Sequence, residues 1–164
     1  MRKLYGWAGK ILRVDLNERK TSQIETEEYS ERFIGGIGIG QKFYWDKASA
    51  DVDAFHPDNP LVFMTSPLAA TLAPSAPRLV ACGKSPSMYP EVFNSASLGG
   101  FFAAELKKAG YDGIVIKGKA SQPLYISIDT ERVELKDASH LWGLTNSETE
   151  HTEVPNPINV YFMG

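Results

Sequence analysis

The chain has 164 residues, 43% of them hydrophobic and 23% charged, with a net charge of −3. That length suits one domain with a genuine core, and the charge gives no reason to expect nucleic acid as a partner. The lone Cys82 excludes an internal disulfide and any self-contained iron–sulfur or cysteine-type zinc site.

The opening Met1-Arg2-Lys3-Leu4-Tyr5-Gly6 is not followed by the apolar stretch of a secretory signal. No apolar run approaches the roughly 18–20 residues that span a bilayer, so no membrane association is expected and the expected location is the cytoplasm. Leu12, Val14 and Leu16 alternate with Arg13, Asp15 and Asn17, the period of a half-buried strand. A turn at Asn17-Glu18-Arg19-Lys20 returns it through Thr21–Glu25. Thr26 is placed to cap a short helix carrying Tyr29 and Phe33 on one face, ended by Gly35-Gly36. A second helix is expected over about Gly40–Ala48, then an apolar strand over Leu61–Thr65.

Leu79–Cys82 reads as a short strand, followed by a loop holding Pro86 and Pro90. Gly99-Gly100 leads into a helix over Phe101–Ala109 that Gly110 stops, and Ile114–Lys117 is a strand. Leu124, Ile126 and Ile128 alternate into a turn at Asp129-Thr130-Glu131, and Val133 and Leu135 return. After Glu150 the periodicity is lost, which sets an expected domain at 1–150 and an irregular tail at 151–164. These elements predict an α+β fold of mostly antiparallel β-sheets with a few short helices. Leu12–Arg19 resembles Tyr125–Arg132, and each half has a Gly-Gly pair before a helix and a strand, so two similar subdomains are one reading.

The motifs carry little visible catalysis. Gly35-Gly36-Ile37-Gly38-Ile39-Gly40 has GxGxG rather than GxGxxG spacing and follows a helix, which argues for close backbone packing over a dinucleotide site. Gly99-Gly100 precedes a helix amino terminus, where a bulky anionic ligand can approach the backbone. Arg78 follows the stiff Ala73-Pro-Ser-Ala-Pro77 and suits a phosphate, or begins a strand on the surface. Lys84-Ser85-Pro86 reads as a solvated turn, with a phosphate-facing lysine as the alternative. His56, His140 and His151 have no metal-ligand spacing, and Asp137 is placed to cap a turn before His140.

Three stretches together are similar to the amino-terminal domain of the aldehyde ferredoxin oxidoreductases. They are Gly6–Asn17, the run from Asn59 through Ala73-Pro-Ser-Ala-Pro-Arg78 to Pro86, and Gly99–Gly118 followed by Asp137–Gly143. The resemblance implies a domain on which a tungsten (or molybdenum) bis-pterin rests, with a magnesium ion joining the pterin phosphates. Arg78 matches the arginine between pterin and a nearby 4Fe–4S cluster, and Gly99 and Gly100 match the glycines against the pterin. The family has Asn-Ser-Gly-Gly where this sequence has Ser97-Leu98-Gly99-Gly100, with Asn94 in an apparently lengthened loop, so the magnesium contact falls to Ser97 or Asn94.

The implied activity is oxidation of an aldehyde to a carboxylic acid, with electrons passing to ferredoxin. A neighbouring branch, the class II benzoyl-CoA reductases, uses the same base domain. The resemblance fades near Glu150, before the domains that in the family carry the cluster cysteines and the substrate pocket. It therefore implies a piece completed by further sequence or by a second chain, inactive alone. A non-catalytic remnant, a protein-interaction module and a free-standing pterin- or nucleotide-binding module stand as alternatives.

Overall fold

Alternation and turn chemistry make the first hairpin. β1 (Lys10–Asp15) and β2 (Lys20–Glu25) pair antiparallel, with Asp15 opposite Lys20. Asp15 Oδ1 closes the turn by accepting from the amides of Asn17 and Glu18 at 3.0 and 3.1 Å. The computed structural model describes residues 5–130 and 132–153. Within them the chain divides into one compact unit ending at Gly118 and another beginning at Lys119.

The first unit is built on a six-stranded sheet in the order β2-β1-β6-β3-β4-β5, where β3 is Leu61–Met64, β4 Leu79–Ser85, β5 Val92–Leu98 and β6 Gly113–Lys117. Every neighbouring pair is antiparallel except β1 and β6, which run parallel. The α+β class with mostly antiparallel pairing therefore holds. The two Gly-Gly–helix–strand runs end side by side, as β3 against β6. Their outer neighbours differ in direction, since β6 is parallel to β1 whereas β3 is antiparallel to β4.

One face of the sheet is covered by α1 (Glu27–Phe33) and α2 (Ile37–Lys47). Tyr29, Ile39 and Phe43 pack there on Ile11, Val62, Met64, Cys82 and Val115. Leu12, Val14, Ile114 and Ile116 point the other way and are buried too, as expected of strands inside a sheet covered on both faces. α3 (Phe102–Lys108) buries Ala103 and Leu106.

Four local expectations need correction. α2 starts at Ile37, so Gly38 and Gly40 lie inside the helix rather than before it. A Cβ at Gly40 would stand 2.8 Å from Cys82 Sγ, and one at Gly38 would strike the Phe33 carbonyl. The glycines let α2 sit close on β4 and on the end of α1, which propensity alone does not reveal. Thr26 makes no cap bond; its Oγ1 donates to the buried Asp112 carboxylate at 2.7 Å. Lys84 is not in a solvated turn, because it lies in β4 and its Nζ donates to the carbonyls of Ala50 and Val52. The loop expected after Cys82 is instead the rest of β4, a turn, and β5.

The second unit contains a two-stranded sheet of β7 (Leu124–Ile128) and β8 (Val133–Asp137). Tyr125 packs with Ala138 and Leu141, the latter in a short 3-10 turn over Ser139–Leu141. Asp137 does cap this turn, accepting from the Ser139 amide at 3.3 Å and its hydroxyl at 2.7 Å. α4 (Asn146–Glu153) was not expected. Its start is a capping box: Thr145 Oγ1 accepts from the Glu148 amide at 3.4 Å, while Glu148 Oε2 accepts from the Thr145 amide at 2.8 Å. The helix runs three residues into the stretch expected as tail, and residues 154–164 lie outside those described.

Candidate functional site

Strand register brings the sequence candidates to one end of the sheet. Leu79 pairs with Leu98, so Arg78 and Gly99 flank the same end of the β4–β5 ladder. Arg78 Nη1 donates to Ser97 Oγ at 3.4 Å, and both side chains lie on the helix-covered side together with Val80. The guanidinium is exposed and has no other partner among the described residues.

Asn94 is elsewhere. It pairs with Gly83 in β5, three residues and about 10 Å before Ser97. Strand alternation turns it to the opposite face, and its Oδ1 accepts from the Ser95 amide at 2.7 Å. The loop expected to carry Asn94 and Ser97 is a strand, and its polar, half-exposed sequence Val92-Phe-Asn-Ser-Ala-Ser-Leu98 suits the edge position it occupies. Arg78, Ser97, Gly99 and Gly100 stand together, and Asn94 does not join them.

The two glycines have different reasons to be glycine. Gly100 has φ +92°, a conformation that disfavours a side chain. Gly99 has no such φ, and a Cβ there would meet nothing within 4 Å. Nothing among the described residues requires Gly99, whose backbone is left bare. In contrast, Gly35 is explained internally: a Cβ there would stand 2.8 Å from Pro67 Cδ.

That contact supports the approach to Arg78. Residues 66–71 fold on themselves through Ala69 N to Ser66 O at 3.1 Å, Thr71 N to Leu68 O at 3.2 Å, and Thr71 Oγ1 to Leu68 O at 2.7 Å. Gly35 and Gly6 both press on Pro67, and Trp7 Nε1 donates to Ile34 O at 2.8 Å. The glycine-rich segment thus shapes the scaffold of the loop that leads to Arg78. On the segments that flank these residues, Phe101 is 84% exposed and Leu98 about half exposed on either side of the glycine pair, and in the loop before Arg78 Leu72 is fully exposed and Leu68 about half exposed. Sequence reasoning missed these, although Leu98-Gly-Gly-Phe101, two large apolar residues around a turn, was a signal for an uncovered surface. Among the described residues no three His, Cys, Asp or Glu side chains gather as a metal site, and no helix is long and apolar enough to cross a membrane.

The profile of the family described as aldehyde ferredoxin oxidoreductase, N-terminal domain, matches residues 11–153. The chain belongs to this family. Over 150 residues it is 44% identical to the tungsten-containing aldehyde ferredoxin oxidoreductase of Pyrococcus horikoshii, covering 90% of this chain and 24% of the relative. An aliphatic sulfonate oxidoreductase, WOR-like subunit, of Pyrococcus furiosus is 35% identical over 153 residues, 91% of this chain and 24% of that protein. Among solved structures, the active site complex BamBC of benzoyl coenzyme A reductase with 1,5-dienoyl-CoA superposes with a TM-score of 0.85 and 35% identity, over 90% of this chain and 22% of that one. The family domain seen here thus spans about a quarter of the length of its curated relatives.

Proposed function

We propose that this aldehyde ferredoxin oxidoreductase domain is the base on which a tungsten bis-pterin rests, within an oxidoreductase that converts aldehydes to carboxylic acids and passes electrons to ferredoxin. The observation that carries the reading is Gly99, bare and open where neither packing nor φ demands glycine, beside an Arg78 with unused donors. These residues fit the group. Gly99 and Gly100 leave room for a planar pterin against the backbone, and the Arg78 fork suits its phosphate or ring oxygens. Ser97, on Arg78's side, is the better placed of the two magnesium candidates. Phe101, exposed directly after the glycine pair, would help exclude water from the pterin once covered.

When bound, the cofactor would supply the two-electron redox chemistry. This chain's residues bind and orient. The benzoyl coenzyme A reductase complex, at a TM-score of 0.85, favours a second reading in which the same base serves aromatic ring reduction.

The test is metal and pterin analysis of the chain purified from cells supplied with tungstate, alone and coexpressed with a chain bearing the remaining family domains. Near-stoichiometric tungsten or molybdenum with pterin, lost in Arg78→Ala, is expected from the coexpressed sample. No metal or pterin in either sample would refute the proposal.

A further inference from the structure

A cleft of about 460 Å³ opens on the helix-covered face of the sheet. β4 and β6 both run antiparallel to β3 and so point the same way. Arg78 precedes the start of β4, whereas Lys117 ends β6, which puts this cleft at the opposite end of the sheet from the Arg78 site. Its floor is apolar, made by Ile24, Tyr29, Phe43, Pro60 and Val115.

Three cations face the cleft. Arg13 pairs with Val115 just beyond the apolar part of that face, made by Ile11, Val62, Met64 and Val115, and its side chain is exposed. α2 ends at Lys47 and leaves Arg13 uncovered. Neither Arg13 nor Lys47 has a hydrogen-bond or ion-pair partner among the described residues. Lys117 is held at the rim by Asp58 at 2.8 Å. Of the acidic groups lining the cleft, Glu28 comes from α1 and Glu25 from the end of β2.

An apolar floor with a few convergent polar groups, at this size, is the arrangement of a small-molecule site. We propose that the cleft binds a small organic anion, an apolar or aromatic body lying on Tyr29, Phe43 and Val115 with a carboxylate or phosphate head held by Arg13 and Lys47. It is independent of the pterin reading, because no residue is shared with the Arg78 site.

The test is amide NMR titration of the full chain with benzoate, phenyl phosphate, benzyl alcohol and inorganic phosphate. Saturable shifts at Arg13, Phe43, Val115 and Lys117 are expected with benzoate or phenyl phosphate, and whichever binds tighter identifies the head group. Arg13→Gln should weaken that binding about tenfold, the usual scale for losing a charge-assisted bond. Lys47→Gln, at an exposed helix end that folding does not need, should weaken it severalfold. Equal affinity for benzyl alcohol would remove the anion from the proposal, and equal affinity for inorganic phosphate would remove the apolar body; either overturns it. So would unsaturable shifts with every probe, or unchanged affinity in Lys47→Gln.

Discussion

Asp112→Asn should destabilise the first unit by about 3–5 kcal/mol. The Asp112 carboxylate is 1% exposed and accepts from Ala8 N at 2.9 Å, Gly9 N at 2.8 Å, Thr26 Oγ1 at 2.7 Å and Lys107 Nζ. Lys107 is itself nearly buried, with the Gly6 carbonyl as its other partner at 2.6 Å. Asparagine keeps the shape but turns one oxygen into a donor, so either the Ala8 and Lys107 pair or the Gly9 and Thr26 pair loses its acceptor. An unsatisfied buried group costs about 1–3 kcal/mol. A buried charge left without its partner costs about 3–5 kcal/mol. These overlap because they concern the same atoms, so the larger figure sets the scale. Domains are stable by only about 5–15 kcal/mol, so the variant stands near the limit of folding.

Urea denaturation followed by tryptophan fluorescence measures the loss, and Trp7, next to the Ala8–Asp112 bond, reports on this segment. With a slope of about 2 kcal/mol/M the midpoint should fall by roughly 2 M. Lys107→Met added to Asp112→Asn removes the stranded charge and should recover part of the loss. A loss below about 1 kcal/mol for Asp112→Asn, or no recovery in the double variant, would refute the reasoning.

Burial pushes the Cys82 thiol from its ordinary 9.0 up to about 11. At pH 8 its labelling by a thiol reagent should be at least about a hundredfold slower in the native chain than in urea, from ionisation alone. The same raised value contributes stability that is complete below pH 9 and is lost as pH rises toward 11, read by urea midpoints across that window. Gly40→Ala should cost about 1–3 kcal/mol by thermal or urea unfolding, because the new Cβ meets Cys82 Sγ at 2.8 Å. Gly99→Ala should leave stability within about 0.5 kcal/mol of the parent yet lower tungsten content in the assembled enzyme. Gly100→Ala should cost about 1–2 kcal/mol by urea unfolding from its φ of +92°.

The hairpins and the α+β class were legible because alternation and turn residues are local signals, and strand register then brought the proposed Arg78 and Gly99–Gly100 to one end of the sheet. β5 was hidden by its own polarity: an edge strand such as Val92–Leu98 has little apolar face to display. The start of α2 was hidden by Gly38 and Gly40, whose poor helix propensity is overridden by contact with Phe33 and Cys82. Thr26 was read as a cap because that is its commonest local role, whereas its partner Asp112 lies 86 residues away. α4 was missed although Thr145 and Glu148 have the spacing of a capping box, since its residues carry no apolar period.

The parallel pairing of β1 with β6 has a consequence for biosynthesis. Ile11 and Leu12 are laid against Gly113 and Ile114, so the inner edge of the first hairpin cannot be closed until about a hundred further residues have left the ribosome. During that interval an apolar strand edge is available to wrong partners, the situation in which chaperones act on nascent chains. Lys10, Arg13 and Asp15, spaced along β1 among its apolar residues, keep that waiting edge from presenting an unbroken apolar, uncharged run, the composition most prone to aggregate.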